Sequence, residues 1–356
     1  MDSIISSESA IHFNDHGYEE LNKYINECEP SCIFILVDGN TMQHCYPKFI
    51  PHLETTARIE VIEIDAGEEF KTIETCTGVW SALLELGCDR KSMMINLGGG
   101  VITDLGGFVA STIKRGIHFI HVPTTVLAMV DAAVGGKNGV DLGHLKNQIG
   151  VIETPAMTLI DTQYLKTLPL NHLHNGSIEM FKHGLIADRD YWKEMLAVSG
   201  DFYTSNFDRL INGSVKIKNE IVKHDPTEQG ARKSLNYGHT IGHAIESFCL
   251  SSDEHPSLLH GEAIAIGLYL ESFLSQEKLG LAASDFAEIE RWYHSLKMKL
   301  NFSQEDIRQM LKFMTHDKKN VNGEIRFVLL EEIGKFKTDQ TIPEEDLIAA
   351  FALLKD

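Results

Sequence analysis

The hydrophobic positions fall into two regimes along the chain. In the first, short apolar runs alternate with helix-like stretches. Ile33-Phe34-Ile35-Leu36-Val37 is an unbroken apolar run that stops at Asp38-Gly39-Asn40. Ile59, Val61, Ile62 and Ile64 form a second β-rich segment ending at Gly67. Met93-Met94-Ile95-Asn96-Leu97 is a third, stopped by Gly98-Gly99-Gly100, and His118-Phe119-Ile120-His121-Val122 a fourth, stopped by Pro123. Between the second and third, Ile73, Val79, Trp80, Leu83, Leu84 and Leu86 recur at helical spacing. Strands apolar on both faces and separated by helices predict an open, mostly parallel α/β sheet of Rossmann-like type.

After about residue 165 the period changes. Amphipathic stretches at 176–197, 207–223, 239–250, 260–278, 284–298 and 304–315 dominate, and only Ile325–Leu330 reads as a strand. The expected organisation is therefore an α/β domain over 1–165 and a mainly helical domain over 166–356, with a linker near Asp161–Pro169. No repeat is evident, which argues against a solenoid.

Charge then narrows the class. With 32 Lys+Arg against 51 Asp+Glu, the 356-residue chain carries a formal −19. Nucleic acid and anionic membranes require a net basic surface, so neither is an expected partner. The six cysteines form no CxxC pair and are read as inert thiols. The first residues show no basic start followed by an apolar core, and no apolar run approaches a membrane span. A cytoplasmic, reducing location is expected. The acidity is not uniform: residues 98–150 have a net charge of +1 and the remainder −20.

The candidate chemistry begins inside that less acidic segment. GGGVITDLGGF (98–108) follows an apolar strand and opens a helix. Glycines there permit close approach to a ligand, and a helix N-terminus can hold a pyrophosphate. The same pattern also serves a tight turn with close helix packing. Asp38, just past the first strand, suits a ribose hydroxyl or an ordinary turn. Glu68 and Lys71 follow the second strand, where a helix start would also account for them. Thr124 and Thr125 follow the fourth, as crevice-facing hydroxyls or as a helix cap. Asp131, Gly135-Gly136-Lys137 and Lys146-Asn147 add polar groups to the same region.

The helical half carries a histidine group. His239 and His243, four apart, share one helix face. His260 begins the next apolar helix, and Glu179 precedes Lys182-His183 earlier in the chain. Histidines and a carboxylate on neighbouring helices suit a zinc-type site with an open position. Spacing alone nominates both His239 and His243; with 17 histidines in the chain, surface or helix-end positions are the competing account.

Together these segments resemble the 3-dehydroquinate synthases of the sugar phosphate cyclase family. GGGVITDLGGF, KRG (114–116), PTT (123–125), VDAAVGGK (130–137), KNQIG (146–150), IEMFKHGLI (178–186), LNYGHTIGHAIE (235–246), HGEAIAIG (260–267) and DKKN (317–320) agree in order and spacing, from Asp38 to about Gly334. The resemblance implies a dinucleotide-binding first domain and a metal-binding helical second domain. It places NAD against Asp38, Glu68, Lys71, Gly99, Gly100, Val101, Ile102, Thr103, Asp104, Thr124 and Thr125. Lys137, Lys146 and the segment Tyr164-Leu165-Lys166-Thr167 complete that set. It places zinc, or cobalt, on Glu179, His239 and His260, which turns His243 into a substrate-facing residue. It implies substrate contacts at Lys137, Lys146, Asn147, Arg232, Asn236, His243, Lys318 and Lys319, and catalytic roles for Asp131, Lys137, Lys182, Lys218 and His243. Arg115 resembles an arginine that reaches the neighbouring subunit's site, which implies a homodimer.

The implied reaction converts 3-deoxy-D-arabino-heptulosonate 7-phosphate to 3-dehydroquinate and phosphate: a carbon–oxygen lyase of the shikimate pathway. Transient oxidation by NAD, phosphate elimination, reduction and intramolecular aldol closure follow in turn, with no net redox change. The chain departs from the family pattern in three places: His183 stands where Tyr is more usual, Asp225-Pro226 where an Asp-Glu pair is, and Asn138 where Thr is. Ser251–Leu259 also reads as a lengthened loop. Rival readings are a 2-epi-5-epi-valiolone synthase acting on sedoheptulose 7-phosphate, a glycerol dehydrogenase-like alcohol dehydrogenase, and an inactive NAD-binding homologue. Asn236, His243 and the Lys318-Lys319 pair favour the dehydroquinate reading. The lysine-rich substrate set is surplus to a simple alcohol.

Overall fold

The computed structural model describes residues 2–5, 9–143, 145–198, 207–252, 254–298, 300, 302–315 and 325–355. Two compact units divide the chain, Met1–Gly176 and Ser177–Asp356.

The first unit is built on a seven-stranded sheet. Its strands are β1 (Ile4–Ile5), β2 (Ala10–Phe13), β3 (Cys32–Asp38), β4 (Arg58–Ile64), β5 (Met93–Gly98), β6 (His118–Pro123) and β9 (Met157–Ile160). A separate hairpin pairs β7 (Lys137–Leu142) with β8 (Leu145–Ile152). The sheet order is β1-β2-β9-β6-β5-β3-β4, parallel throughout except for the β1–β2 pair. The apolar run of β3 is buried on both faces because alternate side chains serve different layers. Phe34 and Leu36 join Cys76, Val79 and Leu83 of α4 (Ile73–Glu85) and Ile102, Leu105 and Val109 of α5 (Gly100–Thr112). Ile33, Ile35 and Val37 face Leu21 and Ile25 of α1 (Asn14–Cys28) and, beyond α2 (Gly39–His44), Phe49 of α3 (Tyr46–Phe49).

The strand order reverses at β3. From it the chain steps outward to β4, returns to the other side as β5, and continues through β6. In open α/β sheets the ligand crevice lies beyond the carboxyl ends at such a reversal. Asp38, Gly98 and Pro123 end the three strands concerned.

Helix α5 sits unusually close to the sheet and the hairpin. A Cβ at Gly106 would lie 2.0 Å from Asn96 Oδ1, and one at Gly107 1.9 Å from Asn138 Oδ1. Asn138, one of the departures from the family pattern, is buried and donates through Nδ2 to the Gly136 and Glu153 carbonyls at 3.0 and 2.7 Å. Asn96 meets His121 at 3.2 Å, and burial pushes that imidazole down to about 4, so it is neutral near pH 7.

Helix α6 (Leu170–Ala187) carries the chain from the first unit into the second. The division thus falls later than the expected boundary at 165/166. Residues 162–167, expected as linker, form a 3₁₀ helix instead. A Cβ at Gly176 would stand 2.3 Å from Leu127 N, so the first turns of α6 pack as part of the first unit.

The second unit is mainly helical. It contains α7 (Arg189–Val198), α8 (Phe207–His224), α9 (His239–Ser251), α10 (His260–Leu279), α11 (Ala283–Ser295), α12 (Gln304–Thr315) and α13 (Glu344–Phe351). The single helix expected over 176–197 is two, because the Asp188 carboxylate accepts from the Asp190 and Tyr191 amides and starts α7. One strand was expected, but β10 (Phe327–Glu332) pairs with β11 (Lys335–Gln340). β11 reads Lys-Phe-Lys-Thr-Asp-Gln and is half exposed, so no apolar run marked it. Phe181, Trp192 and Trp292 pack with ring centroids 4.9–5.6 Å apart in the core of this unit.

Candidate active-site residues in the two units

The first unit gathers its predicted cofactor residues at the carboxyl ends of the parallel strands. Asp38 caps α2: its carboxylate accepts from Thr41 N at 2.8 Å, and Thr41 Oγ1 accepts from Asp38 N at 2.8 Å. Gly99 caps α5, and Gly100, Val101, Ile102, Thr103 and Asp104 form its first turns. Thr103 is buried and returns its hydroxyl to the Gly99 and Gly100 carbonyls at 3.3 and 3.1 Å. A Cβ at Gly99 would lie 3.2 Å from Thr125 Cγ2, so the β5 and β6 ends touch. Thr124 N donates to Gly98 O at 2.9 Å. Thr125 Oγ1 accepts from Ala128 N at 3.2 Å, ahead of the short π-helical segment Ala128–Ala132 that bears Asp131. Thr125 is therefore a cap, the competing account of this hydroxyl.

Lys71 is the electrostatic centre of this region. Only 5% of its side chain is exposed. Its Nζ lies 3.2 Å from Glu68, 3.3 Å from Asp104 and 3.9 Å from Asp141, while Lys146 Nζ lies 3.5 Å from Glu68. Burial disfavours the Lys71 ammonium, but the three carboxylates outweigh it and raise its pKa. Burial likewise pushes Asp104 up to about 6, further than Lys71 draws it down.

Asp141 was not singled out in the sequence. It accepts from Asn147 N at 2.6 Å, and its own amide donates to Lys71 O at 2.9 Å. The bond holds Asn147 at φ +52, a left-handed backbone that Asn tolerates better than most residues. Lys137 opens the same hairpin and is exposed. The 3₁₀ helix Thr162–Thr167 carries Tyr164, Leu165, Lys166 and Thr167. Tyr18 anchors it, donating to Asp161 at 2.8 Å with the Tyr164 hydroxyl also at 2.8 Å. Arg115 is exposed beyond α5, where Lys114, Arg115 and Gly116 take φ of +52, +70 and +105. Two non-glycine left-handed residues in succession are a costly backbone, often found at functional positions.

The second unit brings the predicted metal ligands together. Oε1 of Glu179, on α6, is 3.5 Å from Nε2 of His239 and 3.5 Å from Nε2 of His260. Four ligands placed tetrahedrally ~2.1 Å from a zinc ion would be about 3.4 Å apart. The donor set and its spacing therefore fit a divalent metal. His239 Nδ1 lies 3.0 Å from Tyr237 O and His260 Nδ1 3.4 Å from Glu246 Oε2, which leaves Nε2 of each toward Glu179. Burial lowers the His260 pKa, but Glu246 and Glu179 overcome it and hold it up at about 9. His243 belongs to the same group: one ring nitrogen each of His239, His243 and His260 lie within 4.8 Å of one another. Both nominations, by spacing and by resemblance, thus meet in one cluster.

The remaining predicted residues of this unit have partners of their own. Lys182 pairs with Glu179, and both are buried. His183, one of the departures, bonds Ser214 of α8 at 2.7 Å, and Lys218 lies buried one turn further along that helix. Asn236 donates to Glu228 at 2.6 Å. Arg232 is buried, and its Nη1 donates to Pro226 O at 2.6 Å. Asp225, which precedes the departing Pro226, receives the amides of Gln229, Gly230 and Arg232 and so folds the loop ahead of Arg232. Lys318 and Lys319 lie outside the described residues.

Glu246, like Asp141, was missed as a participant. Its signal was present: it falls seven residues after His239, on the same helix face.

The comparisons with known proteins agree across both units. The family model for the N-terminal domain of 3-dehydroquinate synthase matches residues 61–175, and that for its C-terminal domain matches 176–320. A 3-dehydroquinate synthase of Parabacteroides distasonis is 36% identical over 338 residues, covering 95% of each chain. One from Listeria monocytogenes is 38% identical over 341 residues, covering 93% of this chain and 92% of its own. Among solved structures, a 2-epi-5-epi-valiolone synthase of Streptomyces hygroscopicus subsp. jinggangensis, with NAD+ and Zn2+ bound, superposes with a TM-score of 0.83 at 23% identity. That match covers 99% of this chain and 98% of the other. A glycerol dehydrogenase from Schizosaccharomyces pombe has a TM-score of 0.65 at 14% identity, covering 99% and 90%. The solved structures share the fold. The tandem family models and the near full-length relatives go further: this chain belongs to the 3-dehydroquinate synthase family.

Proposed function

We infer that the protein is a 3-dehydroquinate synthase, a lyase that converts 3-deoxy-D-arabino-heptulosonate 7-phosphate to 3-dehydroquinate and phosphate. The observation that carries this reading is the pair of family models over 61–320. The histidine group and the strand ends at Gly98 and Pro123 lie within that span, and Asp38 lies ahead of it. NAD and a divalent metal, zinc or cobalt, are the cofactors.

The residues divide the work by their chemistry. Asp38 is suited to a ribose hydroxyl, and the N-terminus of α5 at Gly99–Gly100 to the pyrophosphate. Glu179, His239 and His260 would hold the metal, which when bound polarises an alcohol for hydride loss. Lys137, Lys146, Asn147 and Arg115 suit the substrate phosphate through charge-assisted hydrogen bonds. Lys182, Lys218, Arg232 and Asn236 are buried or half-buried polar groups that suit the carboxylate and hydroxyls. His243 is the proton-shuttle candidate and Asp131 a second polar catalytic residue, with one of Lys318 and Lys319 a further cation. The substrate phosphate itself is a competent base for its own elimination, so no dedicated protein base is demanded. Arg115, held by the left-handed turn, acts across a homodimer. A cytoplasmic location accords with the free cysteines, and no described helix is long and apolar enough to cross a membrane.

The deciding assay offers the purified protein 3-deoxy-D-arabino-heptulosonate 7-phosphate and sedoheptulose 7-phosphate in parallel. Phosphate release from the first, with catalytic NAD and no accumulating NADH, is expected. Release only from the second would make the protein a valiolone-type cyclase. Net NADH formation from a simple alcohol would make it a dehydrogenase.

A further inference from the structure

His239 is the first residue of α9, and His260 is the first residue of α10. Both imidazoles therefore project from helix N-termini, where unpaired amides and the summed peptide dipoles make a positive end. That end favours anions, and a divalent cation held by these two histidines has to bind against it. The structure contains a counterweight. Glu271, on α10, is wholly buried. Its Oε2 accepts from Gly238 N at 2.7 Å and its Oε1 from Ile241 N at 3.2 Å. Those are the cap amide and a first-turn amide of α9, on either side of His239.

The two helices are close enough for this reach because they cross on glycine. A Cβ at Gly267 would sit 1.8 Å from Gly238 O and 2.9 Å from Gly242 N. Eleven residues separate Glu271 from His260, about three turns of helix, so both lie on one side of α10.

We propose that Glu271 is a positioning residue of the metal site, its buried carboxylate fixing the start of α9 and offsetting the positive helix end behind His239, thereby raising affinity for a divalent cation. The proposal rests on His239 and His260 being metal ligands. It differs from ordinary capping in assigning the negative charge, and not only the two hydrogen bonds, an effect on the metal.

The test measures Zn2+ and Co2+ affinity of the full-length protein by competition with a chromogenic chelator, together with the visible absorption of the Co2+ form. Glu271→Gln keeps the side chain's size, removes its charge and leaves one accepting oxygen in place of two. Affinity is expected to fall about 10- to 100-fold, as for other residues that orient metal ligands, with an altered Co2+ spectrum. Ser275→Ala is the control. It removes a buried hydroxyl of the same helix that accepts from Leu330 N at 2.9 Å and donates to Glu271 O at 2.6 Å, so it disturbs the main chain at Glu271 but not its charge, and should lower stability while leaving affinity unchanged. Equal metal affinity in wild type and Glu271→Gln would overturn the proposal. So would an equal loss in Ser275→Ala. Glu271→Asp, which keeps the charge but withdraws it by one methylene, replaces the Gln variant if that chain does not fold. Failure of both to fold would make Glu271 a requirement of the domain and overturn its assigned role at the metal. His260→Ala with wild-type affinity would instead refute the ligand assignment beneath it.

Discussion

Nζ of Lys71 lies 3.3 Å from Oδ2 of Asp104, and both groups are shielded from water. Despite the lysine, burial lifts the Asp104 pKa from 3.8 to about 6. The folded chain therefore holds this proton where the unfolded chain has released it. Between 3.8 and about 6 the native state binds more protons, so its stability falls as pH rises through that window. The effect amounts to at most ~3 kcal/mol. Urea unfolding across pH 4 to 7 should show the decline, and Asp104→Asn should flatten it. An unchanged slope in the variant would assign the titration to another group.

His260→Ala should remove a metal ligand and abolish turnover while the far-ultraviolet circular dichroism stays native. Metal analysis after dialysis should find the variant depleted. A metal-loaded, active variant would contradict the assignment of His260.

Gly107→Ala should destabilise the first unit by roughly 1–3 kcal/mol, the usual cost of overpacking. Its new methyl would meet the Asn138 amide at 1.9 Å, and that amide is committed to two backbone carbonyls. The denaturation midpoint measures the loss. The double variant with Asn138→Ala should recover part of it, because the obstructing group is then gone.

Arg115→Ala should weaken binding of the phosphorylated substrate, read as a higher KM. Mixed in equal amounts with Lys137→Ala chains, it should regain about a quarter of wild-type activity if the arginine completes the partner's site in a two-fold dimer. No recovery on mixing would confine Arg115 to its own subunit.

Much of this architecture was legible because burial leaves a simple trace. The four parallel strands from Cys32 to Pro123 are apolar-rich segments, unbroken in β3, that end at turn residues, and the structure has each within a residue or two. The long helices from 207 to 315 carry their own apolar stripes, except α10, expected as amphipathic but buried on nearly every face at the centre of its unit. What escaped in the second unit lacked such a trace. β11 is polar and half exposed, and the break at Asp188 depends on a side chain capturing two amides rather than on any loss of hydrophobic period. In the site, residues of unusual type in unusual settings were visible, whereas those acting through a second residue were not. Asp141 serves Lys71 and Asn147 and has no spacing rule of its own; Glu246 serves His260, and its helix-face spacing from His239 points to it only once His239 is known to matter.

The glycine crossing of α9 and α10 has a mechanical side. With Gly267 in backbone contact with Gly238 and Gly242, the two helices lock in one register. Sliding either by a single residue would drive a side chain into the other's main chain. His239 and His260 are thus mounted on what amounts to a single rigid bracket. For the metal site proposed above, adjustment around an ion would come from side-chain torsions, or from Glu179 on α6, rather than from relative travel of α9 and α10.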